Sequence, residues 1–203
     1  LNDSAWNIGQ ARIAYSIAEK RMDITNFSLH TDYQSIIANG TASELATDSI
    51  DVVLNNINLD YLLSYTEASK AISIMGPVTG QAQVYSVFSA PMLEAQAQIR
   101  NGGLNGVYLG DVTAEARLDR ENKTILIEGE AIDSTGHRVA EVTGKVIPAT
   151  KWWGLDISCD SVDISFIDFW TKDIIANPQG RGYGHVKVEG QEHKVWVTGR
   201  ALA

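Results

Sequence analysis

Apolar and polar residues alternate one by one through most of this chain. Val112, Ala114, Ala116 and Leu118 are separated by Thr113, Glu115, Arg117 and Asp119. After a polar turn at Asn122–Lys123 the alternation resumes in Ile125, Ile127, Gly129 and Ala131. A second turn at Ser134–Gly136 leads into Ala140, Val142, Gly144 and Val146. Period two predicts strands with one apolar and one polar face. Short polar turns between them predict an antiparallel meander. Water takes the polar face, and the apolar face must meet something else. Helical spacing occurs twice, in Asn58–Ser69, with Leu59, Leu62 and Leu63 on one side, and in Ser165–Ile175. The expectation is an all-β fold with two short helices.

The strand pattern is written twice. Met22 and Ile24 match Ile125 and Ile127 at an offset of 103 residues, and Gly40 matches Gly144 at 104. Ile50, Val52 and Leu54 match Leu155, Ile157 and Cys159 at 105, and the same offset pairs Ile57, Leu59, Tyr61 and Leu62 with Val162, Ile164, Phe166 and Ile167. Gly80 is aligned with Gly182. Each copy closes on a hairpin, Gly80–Phe88 with Met92–Ile99 and Gly182–Glu189 with Lys194–Ala201. The expected organisation is two strand repeats, 1–102 and 103–203, in one continuous elongated sheet. Two architectures cover the apolar face of such a sheet. A second sheet makes a β-sandwich, whereas a curled single sheet leaves an open apolar groove.

Composition narrows the partners. A net charge of -9 with 16 dispersed basic residues excludes a nucleic-acid role and an electrostatic dock on anionic head groups. Lipid contact would have to run through acyl chains. Apolar runs such as Ile72–Met75 are far too short to span a bilayer. The single cysteine, Cys159, precludes an internal disulfide and a cysteine-rich metal site. A first residue of leucine reads as a processed form or an excised piece.

The chain offers little to catalysis. No Gly-x-Ser-x-Gly elbow, phosphate loop or dinucleotide fingerprint occurs. Gly180–Gly184 is glycine-rich but precedes a strand pattern, so it reads as a turn. His30 and His137 stand apart, while His185 and His193 could face each other across the last hairpin as a weak metal pair. Asp156, Asp160 and Asp163 alternate with apolar residues as a solvated strand face does. Trp152, Trp153, Phe166, Phe169 and Trp170 cluster late, which suits core packing or, less well, a carbohydrate platform. The expectation is a protein that is not an enzyme and uses no metal or cofactor.

Several of these strings resemble a known family. Gly76-Pro77-Val78-Thr79-Gly80, Pro91 and Gly102–Gly110 (GGLNGVYLG) with Asp111 are similar to the C-terminal region of TamB-like proteins. Gly182–Gly190 with Val195–Ala201 (VWVTGRA) resembles their recurrent hairpin, and Trp6–Ile8, Asn26–Leu29 and Gln34–Gly40 fit the opening block. The resemblance implies a β-taco-like fold, a long U-shaped sheet with an apolar inner groove. It implies a periplasmic location, with an inner-membrane anchor outside this segment. It further implies phospholipid transport between the membranes, outer-membrane protein assembly, and a BamA/TamA-type barrel as partner. On this reading acyl chains lie along Val84, Val112, Ala114, Ala116, Leu118, Ile125, Ile127, Gly129, Val142, Val146 and Ile157. Small residues at Ala114, Ala116, Gly129 and Gly144 would leave room for them. In a sandwich the same residues would mark close approach of two sheets. The chain would then be a carbohydrate- or protein-binding module of the bacterial envelope.

Overall fold

The computed structural model describes residues 5–59, 73–167, 179–191 and 194–202. Among these residues, fourteen strands form one open antiparallel sheet that does not close into a barrel. They are β1 (Asn7–Ile8), β2 (Arg12–Ser16), β3 (Arg21–His30), β4 (Ser35–Ala42), β5 (Ser49–Asn58), β6 (Ile74–Met75) and β7 (Pro77–Tyr85). β8 (Met92–Leu104), β9 (Val107–Asp119), β10 (Thr124–Ile132), β11 (Arg138–Ile147), β12 (Trp152–Asp163), β13 (Arg181–Gln191) and β14 (Lys194–Leu202) follow. β1 and β2 lie along the same edge of β3, and β6 and β7 both pair with β8. From β7 onward, and from β2 to β5, the described strands make an up-and-down meander in which chain neighbours are sheet neighbours, while β1 pairs with β3, β5 with β7 and β6 with β8.

No second sheet covers this one among the described residues, which removes the sandwich alternative. Among the described elements, extensive contacts run only between hydrogen-bonded neighbours, with β8 also touching β10. The fold is therefore the curled single sheet. Of the two expected helices, residues 60–72 and 168–178 lie outside the described residues. The described start of the second, Ile164–Ile167, is a 3-10 turn.

Strand pairing recurs between the two copies. Ile24 opposes Gly40 as Ile127 opposes Gly144, and Gly40 opposes Ile50 as Gly144 opposes Leu155. β5 inserts two residues between Leu54 and Ile57, and β12 inserts two between Cys159 and Val162, its matching position. The register also corrects one alignment. Leu54 faces Gly80 and Cys159 faces Gly184, so Gly184 rather than Gly182 is the partner of Gly80. A slip of two residues keeps the same face and leaves the alternation unchanged, which is why the pattern alone does not detect it. The division between copies falls inside β8, so no linker separates them.

Bulges shape the sheet. Asn26, Asn56 and Asn101 sit in the left-handed region at φ 55°, 56° and 50°. Each belongs to a two-residue insertion opposite a single residue. In each case the freed N–H donates to the side chain of that single residue. The acceptors are Asn39 Oδ1 at 2.6 Å, Thr79 Oγ1 at 3.1 Å and Asp111 Oδ1 at 3.0 Å. Asparagine tolerates this backbone region better than most residues, and the side-chain acceptor satisfies a donor the ladder has lost. Bulges bend a strand and increase its local twist.

Turns are held by aspartates. Asp133 accepts from the Thr135 hydroxyl and from the N–H groups of Thr135 and His137, which holds its carboxyl below the usual range. Asp119 does the same for Asn122, through the side chain first and the backbone second. Buried residues are few. Ala131, Val139 and Val162 make one small cluster with Val112, Ala140, Leu109 and Cys159 against it.

Candidate functional site: an uncovered apolar sheet face

Registered pairing brings all eleven expected groove residues onto one face. Leu118, Ile125 and Val146 stand side by side in one row, which Trp153 extends. Ala116 and Ile127 share the next row with Gly144, Leu155, Val188 and Val197. Ala114, Gly129, Val142 and Ile157 share a third, and Val112 a fourth with Ala131 and Ala140. Val84 joins the face from β7, between Ile50 and Leu93. Sequence reading missed the flanks of this surface. Val52, Leu54, Ala82, Ala95, Ala97 and Val186 belong to the same rows, and the same alternation in β5, β7, β8 and β13 announces them.

Ile125 is buried, Ile127 and Val142 are half-buried, and Ala114 is exposed. Burial on this face is uneven, with Ala42 0% exposed and Ile57, Val78 and Ala131 3% exposed beside the open Ala114.

Two expectations need correction. The glycines do not leave room. A Cβ on Gly144 would lie 2.5 Å from Leu155 Cδ2, and one on Gly129 would lie 3.1 Å from Val142 Cγ1. Cross-strand neighbours lean into those spaces because a row filled by large side chains on one strand needs small ones on the next. Gly190 is covered in the same way by the ring of Trp153. The second correction concerns shape. A hollow of about 670 Å³ opens on the opposite, polar face, between β5 and β11. Gln81, Gln96, Glu115, Glu128 and Glu141 wall it over a backbone floor at Gly80, Ala97 and Ala114. Long polar side chains standing around small-residue backbone give that face its depth. A twisted sheet is saddle-shaped, so concavity is not reserved for one face.

The polar face is otherwise a lattice of exposed ion pairs. Arg117 meets Glu128, Arg138 meets Glu141 at 3.3 Å and Glu130 at 3.8 Å, and Lys187 meets Glu189 at 3.1 Å. Exposed pairs of this kind contribute little to stability. Tyr85 is buried among them, its hydroxyl on Gln83 and Glu94 and its ring under the Arg120 guanidinium at 4.6 Å. Burial first, and the Glu94 contact second, push its phenol up.

The other candidates disperse. His185 lies opposite Arg200 and meets Asp156, while His193 lies outside the described residues. Among the described residues no three His, Cys, Asp or Glu side chains converge as a metal site. Asp160 pairs with His137 at 3.2 Å, and Asp163 accepts the Ser165 N–H at 2.9 Å. Burial raises the Cys159 thiol, which disfavours the reactive thiolate. Trp152 and Trp153, being consecutive strand residues, face opposite sides, one over Gly154 and the other over Gly190. They do not form a shared platform. Phe169 and Trp170 lie outside the described residues. The expected turn at Gly180–Gly184 shrinks to Gly180, because Arg181–Gly184 are already the first residues of β13. Among the described residues no helix is long and apolar enough to cross a membrane.

No family model, curated protein or solved structure matches the chain.

Proposed function

We propose that this chain is a segment of an envelope bridge that shields phospholipid acyl chains along its apolar face. One observation carries the reading. A single sheet presents aligned apolar rows from β5 to β14 with no covering layer among the described residues. Contiguous apolar surface left open to water is costly and marks a place where something apolar docks. An acyl chain meets that need. Its transfer from water gains about 25 cal/mol per Å² covered, and a face without deep pockets lets it slide.

The resemblance to TamB-like proteins supports the wider setting. In that setting the protein is periplasmic, anchored in the inner membrane by a segment beyond this one. It moves phospholipid towards the outer membrane, or assists protein assembly there with a BamA/TamA-type barrel. Acyl carriage is physical shielding, and no catalytic group is required of the chain.

Bound lipid tests the proposal. Purified from a Gram-negative host without detergent exchange, the folded chain is expected to carry phospholipid in native mass spectrometry. A folded chain with no lipid at any charge state overturns it.

A further inference from the structure

Both copies bring an aromatic ring to the same corner of the apolar face, by different routes. In the second copy the row of Leu118, Ile125 and Val146 ends on Trp153, a residue of β12 whose ring lies over Gly190. The first-copy counterpart of that row is Tyr15, Met22 and Ala42. At the offset that relates Ile50 to Leu155, Asp48 stands where Trp153 stands, so this position supplies no ring. Phe88 supplies one instead, from the segment between β7 and β8.

That segment declines the hairpin its counterpart makes. Val84 opposite Leu93 corresponds to Val188 opposite Val197. The second copy continues through Glu189 opposite Trp196, Gly190 opposite Val195 and Gln191 opposite Lys194. The first stops at Tyr85 opposite Met92, and residues 86–91 leave the ladder. Ser86 enters the left-handed region at φ 50°, which turns the chain out of the strand direction. The segment then lies back against the turn that joins β4 and β5. Phe88 N–H donates to the Ser43 carbonyl at 3.1 Å, and the Ser89 hydroxyl donates to that of Glu44 at 3.2 Å. The Phe88 ring meets Tyr15 edge-on, with centroids 6.4 Å apart and planes at 84°. Aromatic pairs attract in this arrangement.

Phe88 is thus tied to the residue that follows Ala42 and, through its ring, to Tyr15, so it spans the row of Tyr15, Met22 and Ala42. Ala42 is 0% exposed and Met22 half-buried, while Tyr15 and Phe88 are themselves 58% and 40% exposed. The rings cover the face and stand in solvent on their other side. Trp153 belongs to a strand paired on both sides, with Val146 and Gly190. Phe88 is held by a backbone bond, a neighbour's hydroxyl and a ring contact, so it can lift without unpairing a strand.

We propose that residues 86–91 form a releasable strap that closes the apolar face at this corner and lifts to admit what the face carries. That the admitted molecule is a phospholipid acyl chain rests on the function proposed above; the closure does not.

Methionine oxidation reads the closure directly. Met22 lies in the spanned row, and Met75, opposite Gly103 at the other end of β8, is an internal reference. In dilute hydrogen peroxide, followed by peptide mass spectrometry, Phe88→Ser is expected to speed Met22 oxidation about threefold or more and to leave Met75 unchanged. Tyr15→Ser, on a different element, is expected to do the same, and Phe88→Tyr, which keeps the ring, to behave as the unaltered chain. Uptake of a pyrene-labelled phosphatidylcholine from vesicles is expected to quicken by about the same factor in the two serine variants. Unchanged Met22 oxidation in both serine variants overturns the strap. Faster oxidation with equal lipid uptake overturns its role as a gate. Faster oxidation with no uptake by any of the proteins supports the closure and overturns the lipid reading instead.

Discussion

Gly110→Ala is expected to lower the folding stability of the chain by about 3 kcal/mol. Gly110 holds φ +111°, a backbone conformation closed to side-chain-bearing residues. A Cβ there would lie 2.0 Å from the carbonyl oxygen of Ile132 and 2.6 Å from its carbon. Both are backbone atoms of the neighbouring strand, so no side chain can swing aside. The strand pair β9–β10 has to separate or the residue has to leave its torsion well, and either disturbs the central ladder. Gly136 is the control. It also has positive φ, at +84°, but nothing lies within 4 Å of a Cβ built on it. Gly136→Ala therefore pays only the torsional term, about 1 kcal/mol. Urea unfolding of both variants measures the difference, and equal midpoints would contradict the described β9–β10 approach.

The second large effect concerns the apolar face. Ile127→Glu combined with Val142→Glu is expected to reduce bound phospholipid about tenfold or more, because a carboxylate against an acyl chain loses its hydration without a partner. The same double variant is expected to stay folded. In a sandwich core two buried carboxylates would unfold a domain of this size. Here Ile127 and Val142 are only half-buried, and among the described residues no second sheet packs on them. Native mass spectrometry reads the lipid, and thermal unfolding reads the fold. Leu126→Glu, one residue from Ile127 on the other face and opposite Arg117 and Lys145, is the matched control and should change neither. Global unfolding of the double variant would mean that the face is a core after all.

Much of this surface was legible in the residues. Alternation from Val112 to Val146 placed three strands and their faces, and the offset between Ile24 and Ile127 foretold the pairing of each with its glycine. Other features were not legible, for physical reasons. Alternation is the same whether a second sheet or a ligand covers the apolar face, so the choice between sandwich and single sheet needed the structure. Period two also ignores a slip of two residues, which hid Gly184 behind Gly182. Small residues at Gly129 and Gly144 read as empty space, because sequence does not reveal that Val142 and Leu155 lean across from the next strand. Curvature is set by twist and bulges rather than by hydrophobicity, and the hollow walled by Gln96 and Glu115 followed from neither pattern. The opposite orientations of Trp152 and Trp153, by contrast, follow from period two alone.

Two surfaces thus compete for the role of conduit, an aligned apolar face and a hollow on the polar one. Neighbouring residues report on opposite sides, which permits a direct comparison. A photo-crosslinking amino acid placed singly at positions 127, 142, 128 and 143 in the chain, irradiated in cells, is the most direct measurement. The account predicts phospholipid adducts from 127 and 142 and none above background from 128 and 143. Equal labelling of the two pairs, or labelling confined to 128 and 143, would contradict it.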